Sequence, residues 1–140
     1  MRRDQAAQLA GRRLVALVEP FLSDRTAGAV RNQLTAEAVI MAASVASGLG
    51  ATSAYTWLKV PVVPDMERVM AATTLPALLL GGDPHGAPEE TYSQWERALA
   101  LPGVRGLVVG RALLHPPGDD VASAVDTAAR LVRPALAGGS

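Results

Sequence analysis

The sequence predicts an α/β fold in which helices cover a parallel sheet. Four short apolar runs alternate along the chain with stretches whose apolar residues recur at helical spacing. Within each run the apolar residues are continuous, as in strands that are buried on both faces, and do not alternate with polar ones. The four runs occupy residues 14–21, 54–63, 76–82 and 104–110. Strands of this kind, separated by helices, are typical of a parallel sheet.

The elements of the first half follow in order from the N-terminus. Residues 1–5 open a polar helical segment, and the first apolar run leads into a polar loop over residues 23–33. Thr35 is a predicted helix N-cap because its hydroxyl can accept a hydrogen bond from the first turn. The helix that it starts is expected to end at Gly48 and Gly50.

The second half repeats the pattern of strand and helix. Pro64 and Asp65 open the helix before the third strand, and Pro88 stands at the first position of the helix before the fourth. Asp119 or Asp120 is expected to cap the last helix. The apolar positions of that helix share one predicted face: Val121, Ala124, Val125, Ala128 and Leu131.

Two architectures fit this order of elements, a short open doubly wound sheet and part of a (β/α)8 barrel. A whole barrel takes about 250 residues and eight strand-helix units. The chain has 140 residues and four predicted strands. If it belongs to a barrel, residues 1–140 form a single domain that is half of one.

Composition excludes several classes of function. The net charge is zero and the basic residues are scattered, which argues against nucleic acid or an anionic membrane as partner. The chain has no cysteine, so disulfides, thiolate metal sites and thiol catalysis are excluded. Arg, Asp or Glu interrupts every apolar stretch before it reaches the length of a membrane span. A cytoplasmic location is therefore expected.

Lys59 is the only lysine of the chain, among twelve arginines, and it lies inside the second apolar run. Arginine stays protonated, whereas a lysine in an apolar setting can lose its proton and attack a carbonyl to form a Schiff base. A composition effect is the alternative, since an arginine-rich chain has few lysines. A buried strand is nevertheless an unfavourable place for a cation without a task.

Glu19 ends the first apolar run, whose strand neighbours that of Lys59 in a parallel arrangement. The two side chains are therefore expected to face one another. A carboxylate beside a Schiff-base lysine can carry protons to and from the carbinolamine and a substrate hydroxyl. A purely structural salt bridge is the alternative.

The third and fourth runs end in Gly81-Gly82-Asp83 and Gly110-Arg111. Active residues of α/β folds collect at the carboxyl ends of the strands. Glycines there let backbone amides approach an anion closely, and Arg111 adds charge. The two glycine-rich ends together with Arg111 favour a phosphate site, although a single glycine is more often only a tight turn.

The remaining candidates predict no metal site and no cofactor. His85 lies in a Gly/Pro loop and His115 precedes two prolines, and the two histidines have no companion at metal-ligand spacing. Tyr55 and Trp57 stand four and two residues before Lys59, so strand alternation puts them on its face.

On these residues the chain resembles the C-terminal half of a class I aldolase barrel of the bacterial fructose-bisphosphate and tagatose-bisphosphate type. It is most similar to the aldolase-like (β/α)8 family associated with inositol catabolism. The stretches that carry the resemblance are residues 51–61, 78–84 and 104–111. The resemblance implies strands five to eight of a barrel, with strands one to four absent.

The resemblance also implies roles for the site residues. Lys59 is the Schiff-base lysine of the sixth strand, and Gly81, Gly82, Gly110 and Arg111 form the phosphate-binding end of strands seven and eight. Glu19 stands where the fructose type has a tyrosine and looks more like the glutamate of the tagatose type.

The activity that this implies is that of an aldehyde-lyase on a phosphorylated sugar or sugar acid, with no metal or organic cofactor. The alternatives are a non-catalytic phosphosugar-binding or assembly module and a phosphosugar isomerase. A half-barrel leaves two strand edges and an apolar inner face uncovered, so the chain is expected to be part of a longer chain or to self-associate, two copies closing a barrel.

Overall fold

A four-stranded parallel sheet is the centre of the structure, a computed structural model that describes residues 2–81, 87–116 and 118–137. Its strands lie in the order β1, β4, β5, β6. They span Ala16–Val18, Thr56–Val60, Ala77–Leu80 and Val104–Val108. A separate antiparallel hairpin is formed by β2, Ser23–Thr26, and β3, Ala29–Asn32. The prediction of an α/β fold with parallel strands is confirmed.

Helices connect the parallel strands and cover one face of the sheet. They are α1 (Arg3–Gly11), α2 (Ala36–Ser47), α3 (Met66–Ala71), α4 (Pro88–Leu99), α5 (Arg111–Leu114) and α6 (Val121–Ala137). Helix α1 contacts β1, α2 contacts β4, α4 contacts both β5 and β6, and α6 contacts β6. The helical layer therefore runs across the sheet from α1 at the β1 edge to α6 at the β6 edge.

The two faces of the sheet differ in cover. On the outer face Leu58, Val60 and Leu79 are buried beneath the helices. On the opposite face, here called the inner face, stand the alternate residues Leu17, Trp57, Lys59, Leu78, Leu80 and Val108, which are half-buried or exposed. The hydrophobic core therefore lies between the sheet and the helices.

Local signals set the helix ends. The Thr35 hydroxyl accepts a hydrogen bond from the Ala38 N–H at 3.2 Å, and Gly48 follows the last residue of the same helix. Pro88 is the first residue of α4. Asp120 caps α6, since its Oδ1 accepts from the Ser123 N–H at 3.0 Å. These four predictions are confirmed, with Asp120 chosen over Asp119.

Three sequence-based expectations were wrong or incomplete. The predicted polar loop over 23–33 contains the hairpin, in which Ser23 is paired with Asn32 and Thr26 with Ala29. The short helix α5 was not predicted. On α6 Ala124 and Ala128 are buried as expected, but Val121 and Val125 are 36% and 44% exposed, because α6 lies at the end of the helical layer.

The sheet has two open edges. Neither β1 nor β6 has a second neighbour among the described residues, and all strand pairs of the sheet are parallel. Four parallel strands with helices on one face form the half-barrel that the sequence predicts. In the described part of the chain no helix is long and apolar enough to cross a membrane.

Candidate functional site

Lys59 is presented by β4 on the inner face of the sheet. Its strand alternates between buried and half-buried residues, with Leu58 and Val60 turned toward the helices and Trp57 and Lys59 turned away from them. The Lys59 side chain keeps 22% of its surface exposed. The amine is thus anchored on a rigid strand and still open to a molecule approaching the inner face.

Glu19 reaches the same place from the neighbouring strand. Val18, the last residue of β1, is in register with Leu58 of β4, so the next residue along each chain, Glu19 and Lys59, stand at the same height. The Lys59 Nζ donates a hydrogen bond to the Glu19 Oε2 at 3.0 Å. The prediction that these two side chains face one another is confirmed.

The electrostatic strength of this pair is limited by solvent. Glu19 is 43% exposed and Lys59 22%. Exposed or partly exposed ion pairs contribute about 0–1 kcal/mol to stability. A structural role alone is therefore a weak reason to place the only lysine on the inner face of a strand.

Apolar side chains surround the pair on the inner face. Leu78 of β5 lies directly beside Lys59 in the sheet register. Leu17 of β1 and Trp57 of β4 are paired two residues before Glu19 and Lys59. Trp57 therefore stands on the same face as Lys59, as predicted, and the amine and carboxylate project beyond a hydrophobic layer.

The glycine-rich ends of β5 and β6 lie side by side. Gly81 is buried, and its N–H donates to the Val108 carbonyl at 3.3 Å. Gly110 is exposed and precedes α5, whose first residue is the exposed Arg111. Gly82 and Asp83 lie outside the described residues, as does His85. The Gly81 N–H is thus used in a hydrogen bond of the sheet, whereas the backbone at Gly110 is exposed.

Gly81 has a packing role that can be measured. A Cβ at this position would lie 2.5 Å from Val109 Cγ1 and 3.1 Å from Val109 Cα, so backbone as well as side chain would have to shift. We expect Gly81→Ala to lower the free energy of unfolding by about 1–3 kcal/mol. Gly110→Ala is the matched control, since nothing lies within 4 Å of its added Cβ. Urea unfolding that gives equal losses for the two variants would contradict this packing role.

A second ion pair joins two helices. Arg68 of α3 donates to the Glu37 carboxylate of α2. A hydrogen bond from the backbone, and then the Arg68 guanidinium, lower the pKa of Glu37 below its ordinary value. Both side chains of this pair are exposed.

Two clefts are found among the described residues. A groove of about 600 Å³ runs between α1 and β1 and is lined by Leu9, Arg12, Leu17 and Glu19 among others. A cleft of about 430 Å³ between α3 and α4 contains none of the predicted site residues. The groove beside β1 reaches the Lys59–Glu19 pair through Glu19.

No group of three or more histidine, aspartate or glutamate side chains that could hold a metal ion occurs among the residues that the structure describes. His115 is exposed at the end of α5.

Sequence reasoning missed three features of the structure. The hairpin follows Glu19 after a short connection, and the two residues of its turn, Ala27 and Gly28, have φ values of 50° and 82°. Of the two, only Gly28 is a residue that signals a turn in the sequence. Helix α5 is a single turn and leaves no periodic pattern. The groove between α1 and β1 depends on tertiary packing and has no local signal.

Comparison with known proteins gives matches over nearly the whole chain. A family model described as Cgl0159-like matches residues 3–129. The chain is similar to the crystal structure of Cgl0159 from Corynebacterium glutamicum (Brevibacterium flavum), at 53% identity and a TM-score of 0.90, over 94% of this chain and 44% of that one. A search of curated proteins found no significant match.

Two aldolase structures share the fold. A Schiff-base-forming fructose-1,6-bisphosphate aldolase matches at 25% identity and a TM-score of 0.68, over 93% of this chain and 48% of that one. An archaeal fructose 1,6-bisphosphate aldolase matches at 23% identity and a TM-score of 0.70, over 94% and 49%. The chain spans slightly less than half the length of all three proteins, and the predicted likeness to the barrel of class I aldolases is confirmed at the level of fold.

Proposed function

The chain belongs to the Cgl0159-like family, and from that premise we propose that it carries the Schiff-base half of a class I aldolase-type barrel. Its reaction is the cleavage or condensation of a phosphorylated sugar or sugar acid. The likeness to a Schiff-base-forming aldolase supports the formation of a Schiff base. The substrate of that aldolase, fructose 1,6-bisphosphate, supports a phosphorylated sugar as the ligand. A role in inositol catabolism in the cytoplasm, implied by the family resemblance of the sequence, is part of the same proposal.

The observation that carries the proposal is the contact between Lys59 and Glu19. An amine and a carboxylate 3.0 Å apart stand at the carboxyl ends of adjacent parallel strands, on the face that the helices leave uncovered. Catalytic groups of (β/α)8 barrels come from this end of the strands. The pair has both groups that imine chemistry needs, a nucleophile and a proton acceptor within hydrogen-bond reach.

The chemical steps follow from these two groups. Transfer of a proton from the Lys59 ammonium to Glu19 leaves a neutral amine, which attacks the ketose carbonyl carbon. The carbinolamine takes up a proton and loses water, giving an iminium. The Glu19 carboxylate then removes the proton of the substrate hydroxyl. The C–C bond breaks, the iminium accepts its electron pair, and an aldehyde leaves. Protonation and hydrolysis of the remaining enamine release the second product and restore the lysine.

The substrate phosphate is assigned to the ends of β5 and β6. Arg111 is exposed at the start of α5, and Gly110 has open space on its Cα, so an anion can approach the backbone there. Gly82 and Asp83 complete the predicted substrate site. Gly81 contributes by holding the two strand ends together, since its N–H is bonded within the sheet.

The test is reductive trapping. The protein is mixed with a panel of ketose phosphates, reduced with borohydride and weighed as the intact chain. We expect a stable gain of one ketose phosphate less one oxygen. In Lys59→Arg only the gain at the N-terminal amine should remain, since a guanidinium forms no Schiff base. A ketose phosphate that binds without any gain in mass, with binding lost in Arg111→Ala, would refute the lyase and favour the phosphosugar-binding module.

A further inference from the structure

Helix α2 has no charged outer face. Glu37 is the only charged residue among the twelve of this helix. The exposed residues that follow it are all uncharged: Met41, Ser44, Val45 and Ser47, with Gly48 at the C-terminal end of the helix. Met41 and Val45 are 56% and 60% exposed. A helix that is apolar on all sides is normally buried on all sides.

The other two long helices of the same layer differ from α2. The exposed residues of α4 include Glu89, Glu96 and Arg97, and those of α6 include Asp126 and Arg130. Charged side chains are the usual cover of a helix face that meets water. The uncharged outer face of α2 is therefore a local feature and not a property of the whole helical layer.

The segment that leads into α2 is also uncovered. All four residues of β2 and all four of β3 are exposed, and a two-stranded hairpin by itself is only marginally stable in water. Val30 of the hairpin is 60% exposed, and Leu34, which precedes the Thr35 N-cap, is 56% exposed. We call Leu34, Met41, Val45 and Gly48 the α2 patch. Both the hairpin and the patch would gain from a surface that covers them.

The α2 patch lies on the outside of the helical layer. On its other side, α2 packs Val39, Ala43 and Ala46 into the hydrophobic core, and it contacts β4 and α3. The sheet and α2 itself therefore separate the patch from anything that binds the inner face of the sheet. The patch needs a cover of its own.

Charge favours a second copy of the chain as that cover. Glu37 is already paired with Arg68 of α3, so two α2 helices can meet without bringing an unpaired charge from either helix. The outer face of α2 has no basic residue that would attract nucleic acid or an anionic membrane. An uncharged surface is complementary to itself.

The shape of the patch is self-complementary as well. Leu34 and Gly48 stand seven residues before and after Met41. A Cβ at Gly48 would meet only the Val45 carbonyl oxygen, at 3.7 Å, so the surface there is open. When two α2 helices pack antiparallel about a twofold axis at Met41, the large Leu34 of each copy lies over the open surface at Gly48 of the other.

We propose that α2 is the centre of a homodimer interface of this antiparallel, twofold form. Such isologous contacts are the commonest in homo-oligomers. The hairpin of each copy then lies beside the C-terminal end of the other copy's α2. This contact differs from the closure of a barrel by two copies, which would join inner faces, and it does not depend on Schiff-base chemistry.

Cysteine cross-linking tests the position of the axis. The chain has no cysteine, so one introduced thiol reports the contact without background. In Met41→Cys the two thiols meet at the axis, and mild oxidation should give a disulfide-linked dimer. Ser93→Cys is the matched control, because Ser93 is exposed on α4, and it should remain unlinked. Equal yields from the two variants would overturn the proposal, since they would reflect random collision.

Sedimentation equilibrium of the cysteine-free chain tests the rest of the patch. Val45→Arg and Gly48→Leu should each raise the dissociation constant about 30-fold or more, the scale of an interface hot spot. Circular dichroism should stay unchanged, because Val45 is exposed and Gly48 has a φ of −94°, which any residue adopts. Leu17→Arg, on the inner face, should leave the constant unchanged. A chain that is monomeric at every concentration, or a dimer that Leu17→Arg dissociates and Val45→Arg does not, would overturn the proposal.

Discussion

Replacing Lys59 with arginine should lower kcat for cleavage of a ketose phosphate by about 10⁴-fold or more, the scale of loss seen when a covalent nucleophile is removed. Arginine keeps the positive charge beside Glu19, 3.0 Å away in the native protein, so the electrostatic role of Lys59 is preserved. It cannot become a neutral amine at working pH, so the iminium does not form. The measurement is the rate of aldehyde release from the ketose phosphate.

The control for this prediction introduces a lysine elsewhere. Arg105 is exposed on β6, and Arg105→Lys should leave kcat unchanged. Adding Arg105→Lys to the Lys59→Arg variant should restore nothing, because the amine must stand beside Glu19. A Lys59→Arg protein with unchanged thermal unfolding and a kcat within about tenfold of wild type, about 1.4 kcal/mol in barrier, would rule out a covalent role for Lys59.

Truncation of Leu79 to alanine should cost this chain about 2–5 kcal/mol of unfolding free energy. Leu79 is fully buried, at 0% exposure, and lies between the centre of the sheet and the helices. Truncation of its side chain leaves a cavity between the sheet and the helices that cover its outer face. Urea unfolding followed by circular dichroism gives the difference between variant and wild type.

Leu78→Ala is the matched control, since Leu78 is the preceding residue of the same strand and stands on the half-buried inner face. In this chain alone it should cost clearly less than Leu79→Ala, because the inner face is not closed. Equal losses already in the isolated chain would contradict the assignment of the inner face as uncovered.

The Lys59–Glu19 pair could be predicted from sequence because the rule behind it is topological. Continuous apolar strands indicate a parallel sheet, and the carboxyl ends of parallel strands meet at one end of it. The order of β1 and β4 as neighbours then brings the two side chains to the same height. The helix starts at Thr35, Pro88 and Asp120 could also be predicted from sequence, because each depends on a local feature. Thr35 and Asp120 accept a hydrogen bond from the first turn, and Pro88 has a fixed φ.

The close packing of Gly81 against Val109 could not be predicted from sequence. It depends on a register shift between β5 and β6, where Ala77 is paired with Val104 but Leu78 with Gly106. Gly106 has a φ of 152°, a conformation that favours glycine, and this irregularity sets which residues meet at the strand ends. Contacts of this kind arise between elements distant in sequence, and periodicity within one element does not report them.

The open edges were expected from the four predicted strands, since a barrel takes eight. The positions of α1 and α6 at opposite ends of the helical layer could not be predicted from sequence, because they depend on how the helices pack against the sheet.

The most direct measurement is a tryptic map of the borohydride-reduced protein. Lys59 is the only lysine, so only the N-terminal amine competes with it as a primary amine, and trypsin cuts the unmodified chain between Lys59 and Val60. An adduct on Lys59 blocks that cut. A Schiff base on Lys59 predicts one joined peptide over residues 32–68 that carries the mass of the reduced ketose phosphate. Release of unmodified peptides 32–59 and 60–68, with an adduct on the N-terminal amine or nowhere, would contradict it.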